Sequence, residues 1–120
     1  MHAQSMIATH PDVKGNVNAS LIHCIESCFD CAQACVACAD ACLGEEMVMQ
    51  LRQCIRFNLD CADVCSATGK LASRRTGSDE TLLKQMIEAC AEACRQCGAE
   101  CARHASMHEH CKICAQVCEA

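Results

Sequence analysis

Apolar and polar positions alternate with a helical period along most of this chain, and no segment carries the every-second-residue alternation of a strand. The clearest run is sulfur. Cys24, Cys28, Cys31, Cys35, Cys38 and Cys42 recur at steps of four, three, four, three and four, which places six thiols in one stripe of a helix. This is the a/d seam of a heptad, normally filled by Leu or Ile and turned toward the inside of a bundle. Leu21 and Val17 continue the stripe toward the N-terminus. Beside it runs a second apolar row, Ile25, Phe29, Ala32, Val36, Ala39 and Leu43, which either completes the packing or forms a contact between copies. Glu26, Asp30, Gln33 and Asp40 mark the wet face. The pattern predicts a first long helix capped by Asn16 or Asn18 and ended at Leu43 by Gly44.

Glu45 and Glu46 suit the first turn of a second helix running to about Ser73, with Met47, Leu51, Cys54, Asn58, Cys61, Cys65, Thr68 and Ala72 facing inward. Asn58 on that stripe reads as a hydrogen-bonded interior group. Ser78 or Asp79 then caps a third helix, in which Leu83 and Ile87 lead into Cys90, Cys94, Cys97 and Cys101, followed by His104 and His108. The spacing of Cys24 to Cys35 is repeated by Cys90 to Cys101, 66 residues later, which suggests a duplicated helical hairpin. Cys111, Cys114 and Cys118 fall out of that register, so the helix is expected to break near Ser106 and a short fourth helix to start at about His108. Residues 1–16, holding the only proline, read as an arm or short helix. The expected fold is all-α: an antiparallel up-down-up-down four-helix bundle over residues 17–120 with a cysteine-lined lumen.

Composition sharpens this picture. Sixteen cysteines in 120 residues require either a disulfide framework or metal chemistry. The N-terminus shows no basic segment followed by an apolar one, and no twin-arginine pair, so a cytoplasmic chain with reduced thiols is expected. Thiols one turn apart on a helix would close only tiny, strained disulfide loops. No apolar run is read as approaching the ~18 residues of a membrane span. The net charge of −5 and the presence of only two aromatics, Phe29 and Phe57, argue against a nucleic-acid surface or a flavin pocket.

Each Cys-x-x-x-Cys or Cys-x-x-Cys pair on a helix presents two sulfurs to one ion without loop rearrangement. Zinc favours closed four-sulfur sites, each carrying a net charge of about −2, so four of them would bury a charge of about −8. No Lys or Arg lies on the thiol stripes to offset it. Cu(I) is monovalent, soft and selected by thiolate and thioether ligands, so roughly one ion per cysteine leaves the core neutral. In such a bundle the first and third turns share an end. That brings Met47, Met49 and Met107 close to His104, His108 and His110, a port of thioethers and imidazoles at one mouth of the thiol tube. His23 lies off the stripe and reads as a surface residue.

The dense run Cys24-x-x-x-Cys28-x-x-Cys31-x-x-x-Cys35, the sparser Cys54, Cys61 and Cys65, and the second dense run together resemble the bacterial copper storage proteins, in their cytosolic branch without an export signal. The resemblance spans the chain from about residue 17. It implies a bundle whose lumen is filled by many Cu(I) ions and which associates, commonly as a homotetramer, with no catalysis. The short last helix departs from that pattern, where one or two further cysteine turns are expected. The alternatives are a zinc or other soft-metal thiolate buffer and a chaperone carrying a single copper ion. A thiol oxidoreductase would need one privileged nucleophile in a strand-helix fold, and an iron–sulfur protein a compact loop of four thiolates.

Overall fold

The computed structural model describes residues 1–119. It contains α1 (Ala3–Ala8), α2 (Ala19–Leu43), a 3₁₀ turn (Val48–Leu51), α3 (Arg52–Ser73), α4 (Glu80–His104) and α5 (Glu109–Glu119), with no strand among the described residues. The all-helical reading of the sequence stands. Between the two candidate caps of α2 the structure selects Asn18, whose Oδ1 accepts from the backbone N–H of Ser20 at 2.9 Å and of Leu21 at 3.3 Å. Asp79 caps α4 in the same way, accepting from Leu82 N–H at 3.0 Å. The phase shift after Cys101 is a real break: α4 stops at His104 and α5 resumes at Glu109.

The start of the second long helix differs from expectation. Glu45 and Glu46 lie in a turn, the chain passes through a 3₁₀ turn, and α3 begins only at Arg52. No side chain caps this start. Glu45 is instead drawn toward His108 and His110, its carboxylate oxygens lying 3.4 Å from His108 Nδ1 and 3.3 Å from His110 Nε2. Met47 consequently stands before the helix and is half-buried, whereas Leu51, Cys54, Asn58, Cys61, Cys65, Thr68 and Ala72 of the same stripe are all buried.

α3 packs against α2 and α4, and α5 packs against α4 and α2. The molecule is elongated, 51 × 24 × 18 Å. Two cores follow one another along it. The larger is the sulfur core, walled by Leu51, Ala62 and Ala115. The smaller is an aliphatic plug of Ile7, Ile22, Ile25, Ala72 and Leu83 at the opposite end from Gly44. The arm belongs to this plug, since Ile7 of α1 is buried there. His10 ties the arm down: its Nδ1 accepts from Asp12 N–H at 3.0 Å and its Nε2 lies 3.0 Å from Thr76 Oγ1 in the α3–α4 turn.

The structure sorts two readings of the apolar pattern. The row beside the thiols divides between interior and surface. Ile25 and Ala39 are buried, but Val36 is 54% and Leu43 61% exposed, because α2 packs chiefly against α3 and α5 and these residues lie off those flanks. On α4, Ile87 is likewise exposed whereas Leu83 is buried. The second concerns span length: α2 is in fact long and apolar enough to meet a simple criterion for crossing a membrane, with a mean hydropathy of 1.3. Thiols and alanines supply that value, and the thiols are turned inward, as in the core helices that meet the same criterion.

Gly69 of α3 sits under Phe29 of α2. A Cβ there would lie 3.0 Å from two carbons of the Phe29 ring and 3.3 Å from the Cβ of Cys28. At Gly98 of α4 the nearest atom to such a Cβ, on Cys118, is at an ordinary 3.4 Å. Alanine in a helix interior is favoured over glycine by about 0.5–1 kcal/mol, while overpacking costs about 1–3 kcal/mol. Gly69→Ala is therefore expected to lower the melting temperature of the metal-free protein and Gly98→Ala to raise it. Thermal unfolding followed by circular dichroism checks both signs.

Candidate metal centre

The sulfur core is built by register. The steps of three and four along α2, α3 and α4 keep each thiol stripe on one side of its helix, and α5 supplies the last three sulfurs on a fresh register. All sixteen cysteines are free thiols; Cys24 and Cys94 are partly exposed and the other fourteen are buried. Sulfurs from different helices lie at contact distance throughout: Cys31 to Cys61 at 3.7 Å, Cys35 to Cys118 at 3.6 Å, Cys54 to Cys101 at 3.5 Å and Cys65 to Cys90 at 3.2 Å.

Several sets of thiols have all their sulfurs within 4.8 Å of one another. They are Cys31, Cys61, Cys65 and Cys94; Cys31, Cys35, Cys61 and Cys118; Cys35, Cys97, Cys114 and Cys118; and Cys38, Cys42, Cys54 and Cys111. Cys38, Cys101 and Cys114 form a further set. Neighbouring sets share members: Cys31 and Cys61 join the first two, and Cys35 and Cys118 the second and third. The arrangement is a continuous column in which one sulfur can bridge two ions. No Lys or Arg is among the buried residues.

One polar side chain interrupts the column. Asn58 is fully buried, and its Oδ1 accepts from Cys97 at 2.9 Å, Cys114 at 3.2 Å and Cys101 at 3.4 Å, while its Nδ2 donates to Cys54 at 3.7 Å. It is the hydrogen-bonded interior group that its place on the stripe predicts.

Three of the six histidines, His104, His108 and His110, gather at the Gly44 end. His110 places Nδ1 3.5 Å from the sulfur of Cys38 and 3.6 Å from that of Cys111, with Nε2 3.3 Å from Glu45. His108 stacks on His110 with centroids 5.4 Å apart and sets its Nδ1 3.4 Å from the other oxygen of Glu45. His104 lies 3.8 Å from Glu100. The Nε2 atoms of His104 and His108 are buried without a hydrogen-bond partner, a costly state unless something binds them. Met47 is half-buried at this end, whereas Met49 and Met107 are exposed, at 72% and 57%. His23 is exposed beside Ser27.

Two acidic residues of this mouth were not singled out from the sequence. Glu45 holds two imidazoles, the arrangement that orients metal-binding histidines elsewhere. Its signal was available in the placing of the first and third turns at one end. Glu100 is buried on α4 between Arg103, at 2.9 Å, and His104. It falls one residue before Cys101, off the thiol stripe, and no sequence signal marks it.

Proton affinities within the column are uneven. Hydrogen bonding from Cys101 holds Cys54 down to about 3, and that from Cys118 pulls Cys61 far below the ordinary thiol range. Cys35 is pushed well up by its contacts with Cys114 and Cys118. Near the histidine mouth the main cause is burial, which raises Cys42 and lifts Cys111 from 9.0 to about 11. An unfolded chain sheds the Cys111 proton above pH 9.0, while the folded chain keeps it up to about 11. That contribution to stability is present below pH 9 and is lost as pH rises through this window. The melting temperature of the metal-free protein should thus fall between pH 9 and 11, by more than that of a Cys111→Ala variant measured alongside.

Comparison with known proteins places this sulfur column in a family. The profile of the copper storage protein family matches residues 17–120. The structure superposes on that of the copper storage protein Ccsp from Streptomyces lividans loaded with 10 copper equivalents, at a TM-score of 0.92 and 50% identity, covering 98% of this chain and 89% of that one. A second structure from S. lividans, a cytosolic copper storage protein with five coppers, matches at a TM-score of 0.81 and 56% identity over 82% of each chain. An uncharacterized cysteine-rich protein from Bacillus subtilis, YhjQ, is 40% identical over 93 residues, 78% of this chain and 81% of its own. With a family profile matched from Val17 to the end and a solved member superposing over nearly its whole length, this chain belongs to the copper storage protein family.

Proposed function

We propose that this chain sequesters Cu(I) in the cytosol, holding roughly one ion per cysteine through bridging thiolates inside the protein. The observation that carries this reading is the sharing of sulfurs between adjacent sets, Cys31 and Cys61 in one pair and Cys35 and Cys118 in the next. Separate four-sulfur zinc knots would not share ligands, and each would leave a net negative charge in a core with no buried Lys or Arg. A chaperone for one ion would expose its site, whereas fourteen of the thiols here are buried. The S. lividans proteins that this chain resembles were loaded with five and 10 coppers. The reading is one of binding without catalysis, in keeping with a family of storage proteins.

The architecture we assign is an antiparallel up-down-up-down four-helix bundle of residues 17–120, preceded by the arm 1–16. The ladder of sulfur contacts supports it. As α2 ascends through Cys31 and Cys38, its α3 partners descend from Cys61 to Cys54 and its α5 partners from Cys118 to Cys111. α3 and α4 cross the same way, Cys54 meeting Cys101 and Cys65 meeting Cys90. The ligands are the sixteen cysteines, with His104, His108 and His110 receiving ions at the Gly44 end. The two unpartnered Nε2 atoms point to that role. Met47, Met49 and Met107 add thioethers around the mouth. Exposed Val36 and Leu43 on α2, Leu59 on α3 and Ile113 on α5 provide the apolar surface for a homo-oligomer, a tetramer by resemblance.

Anaerobic titration of the reduced metal-free protein with Cu(I) against a chromophoric competitor should count on the order of one ion per cysteine. Zinc titrated in parallel should find few tight sites. Saturation near one copper would support a chaperone, and about four tight zinc ions with little copper would support a zinc buffer. A His104→Ala/His108→Ala variant should reach nearly the same capacity but fill more slowly, which stopped-flow luminescence reads directly.

A further inference from the structure

The histidine mouth carries one negative charge without a cationic partner. Of its two carboxylates, Glu100 is buried against Arg103 at 2.9 Å. Glu45 is half-buried, and no Lys or Arg among the described residues pairs with it. Both of its oxygens are instead turned to imidazoles, Oε1 to Nε2 of His110 and Oε2 to Nδ1 of His108. The break between α4 and α5 brings the two rings there. The backbone carbonyl of His108 accepts from Cys111 and Lys112 N–H at 3.1 and 3.2 Å, which starts α5 and sets His110 in its first turn. The rings stack at an interplanar angle of 21°.

A carboxylate accepts hydrogen bonds and donates none, so the ring nitrogen that faces it carries the proton. A bare nitrogen there would set its lone pair against the negative oxygen. The consequence differs between the two rings, because Glu45 meets them by different nitrogens. In His110 the proton sits on Nε2 and Nδ1 is free, 3.5 Å from the sulfur of Cys38 and 3.6 Å from that of Cys111. In His108 the proton sits on Nδ1 and Nε2 is free, buried and without a hydrogen-bond partner. Neutral imidazole is the form that ligates a metal, and the bond made by one ring nitrogen decides which role the other takes.

We propose that Glu45 is the positioning residue of the mouth: it locks His108 and His110 in opposite tautomers, offering Cu(I) Nε2 of one and Nδ1 of the other, and its charge balances one entering ion. The proposal rests on the copper-storage reading. It separates admission of the ion from loss of a thiol proton. Two neutral imidazoles add no charge, so an ion held on them is neutralised by Glu45 before any thiol has ionised. Passage to Nδ1 of His110 then sets the ion beside Cys38 and Cys111, members of the set completed by Cys42 and Cys54. There the bonds from nitrogen to Cu(I) break as bonds to sulfur form, and the displaced thiol proton leaves to solvent. Copper stays monovalent throughout, and the charge of Glu45 is free again for the next ion.

Glu45→Gln tests this with little change of shape. Glutamine offers one acceptor oxygen and one donor amide where glutamate offers two acceptors, so one of the two imidazoles must turn a bare nitrogen to the amide and move its proton across the ring. Nuclear magnetic resonance of the reduced, metal-free protein with isotope-labelled histidine reads the tautomers directly. The wild-type protein should show His110 protonated at Nε2 and His108 at Nδ1. In Glu45→Gln one of the two should switch, while His104, which Glu45 does not touch, keeps its tautomer. Circular dichroism of the same samples checks that the variant is folded, and the wild-type spectrum decides the tautomers whatever the variant does. Ions bound per chain are counted first on the wild-type protein, so that failure to store copper is recognised apart from failure of the mouth. Stopped-flow luminescence should then show the first ions entering Glu45→Gln about tenfold more slowly. The same tautomer in both rings of the wild-type protein, an unchanged pattern in folded Glu45→Gln, or entry of the first ions at the wild-type rate would each overturn the proposal.

Discussion

The constraint on which this molecule depends is charge. A thiol packs as a small apolar group, but a thiolate in the same place must be matched by a cation within the column, because desolvation makes an isolated buried ion prohibitive. No Lys or Arg enters the sulfur column: among the described residues, the fully buried ones with an ionisable side chain, besides the cysteines, are Glu100 and His108. The metal-free core is consequently held together chiefly as a packed set of neutral thiols, with hydrogen-bonded exceptions such as Cys54 and Cys61, and at the neutral positions an arriving ion must replace a proton. A monovalent ion does this one for one. A divalent ion bound by four thiolates does not, and the excess charge accumulates along the column.

That constraint explains why the sulfur and aliphatic parts are separated along the axis. Ile7, Ile22, Ile25, Ala72 and Leu83 form a plug whose packing does not involve the sulfurs, and the arm contributes to it. Stability of the empty protein is therefore not set by the sulfur alone, which packs with less bulk than leucine. At the other end Glu45 supplies the one carboxylate placed to hold His108 and His110 together. It does so by giving up the helix-initiating role that its sequence position suggests, which is why α3 begins late.

The helices and the thiol stripes were legible in the sequence because both follow from period alone. Steps of three and four fixed which residues of α2, α3 and α4 face inward, and Asn18, Gly44 and Asp79 marked the ends. The break before α5 could be read from the register change at Cys111. Less legible was whatever depends on which helix lies beside which flank. Val36 and Leu43 continue an apolar row yet face solvent, since a pattern along one helix cannot say how wide its neighbours are. The start of α3 was obscured for a related reason: two glutamates look like a first turn, and only the tertiary position of His108 and His110 shows where Glu45 is engaged. Likewise, α2 satisfies a hydropathy criterion for a membrane span because cysteine scores as apolar wherever it points.

The contact of Cys65 with Cys90 has a consequence for oxidation. Their sulfurs are 3.2 Å apart on different helices, so an approach of only about 1.2 Å separates two thiols from a disulfide that would cross-link α3 to α4. A crowded column of free thiols is thus most vulnerable to oxidants when it is empty, and a bound soft ion both keeps paired sulfurs apart and withdraws their nucleophilic electrons. The filled state is the chemically durable one, and the empty state depends on a reducing environment to remain able to fill.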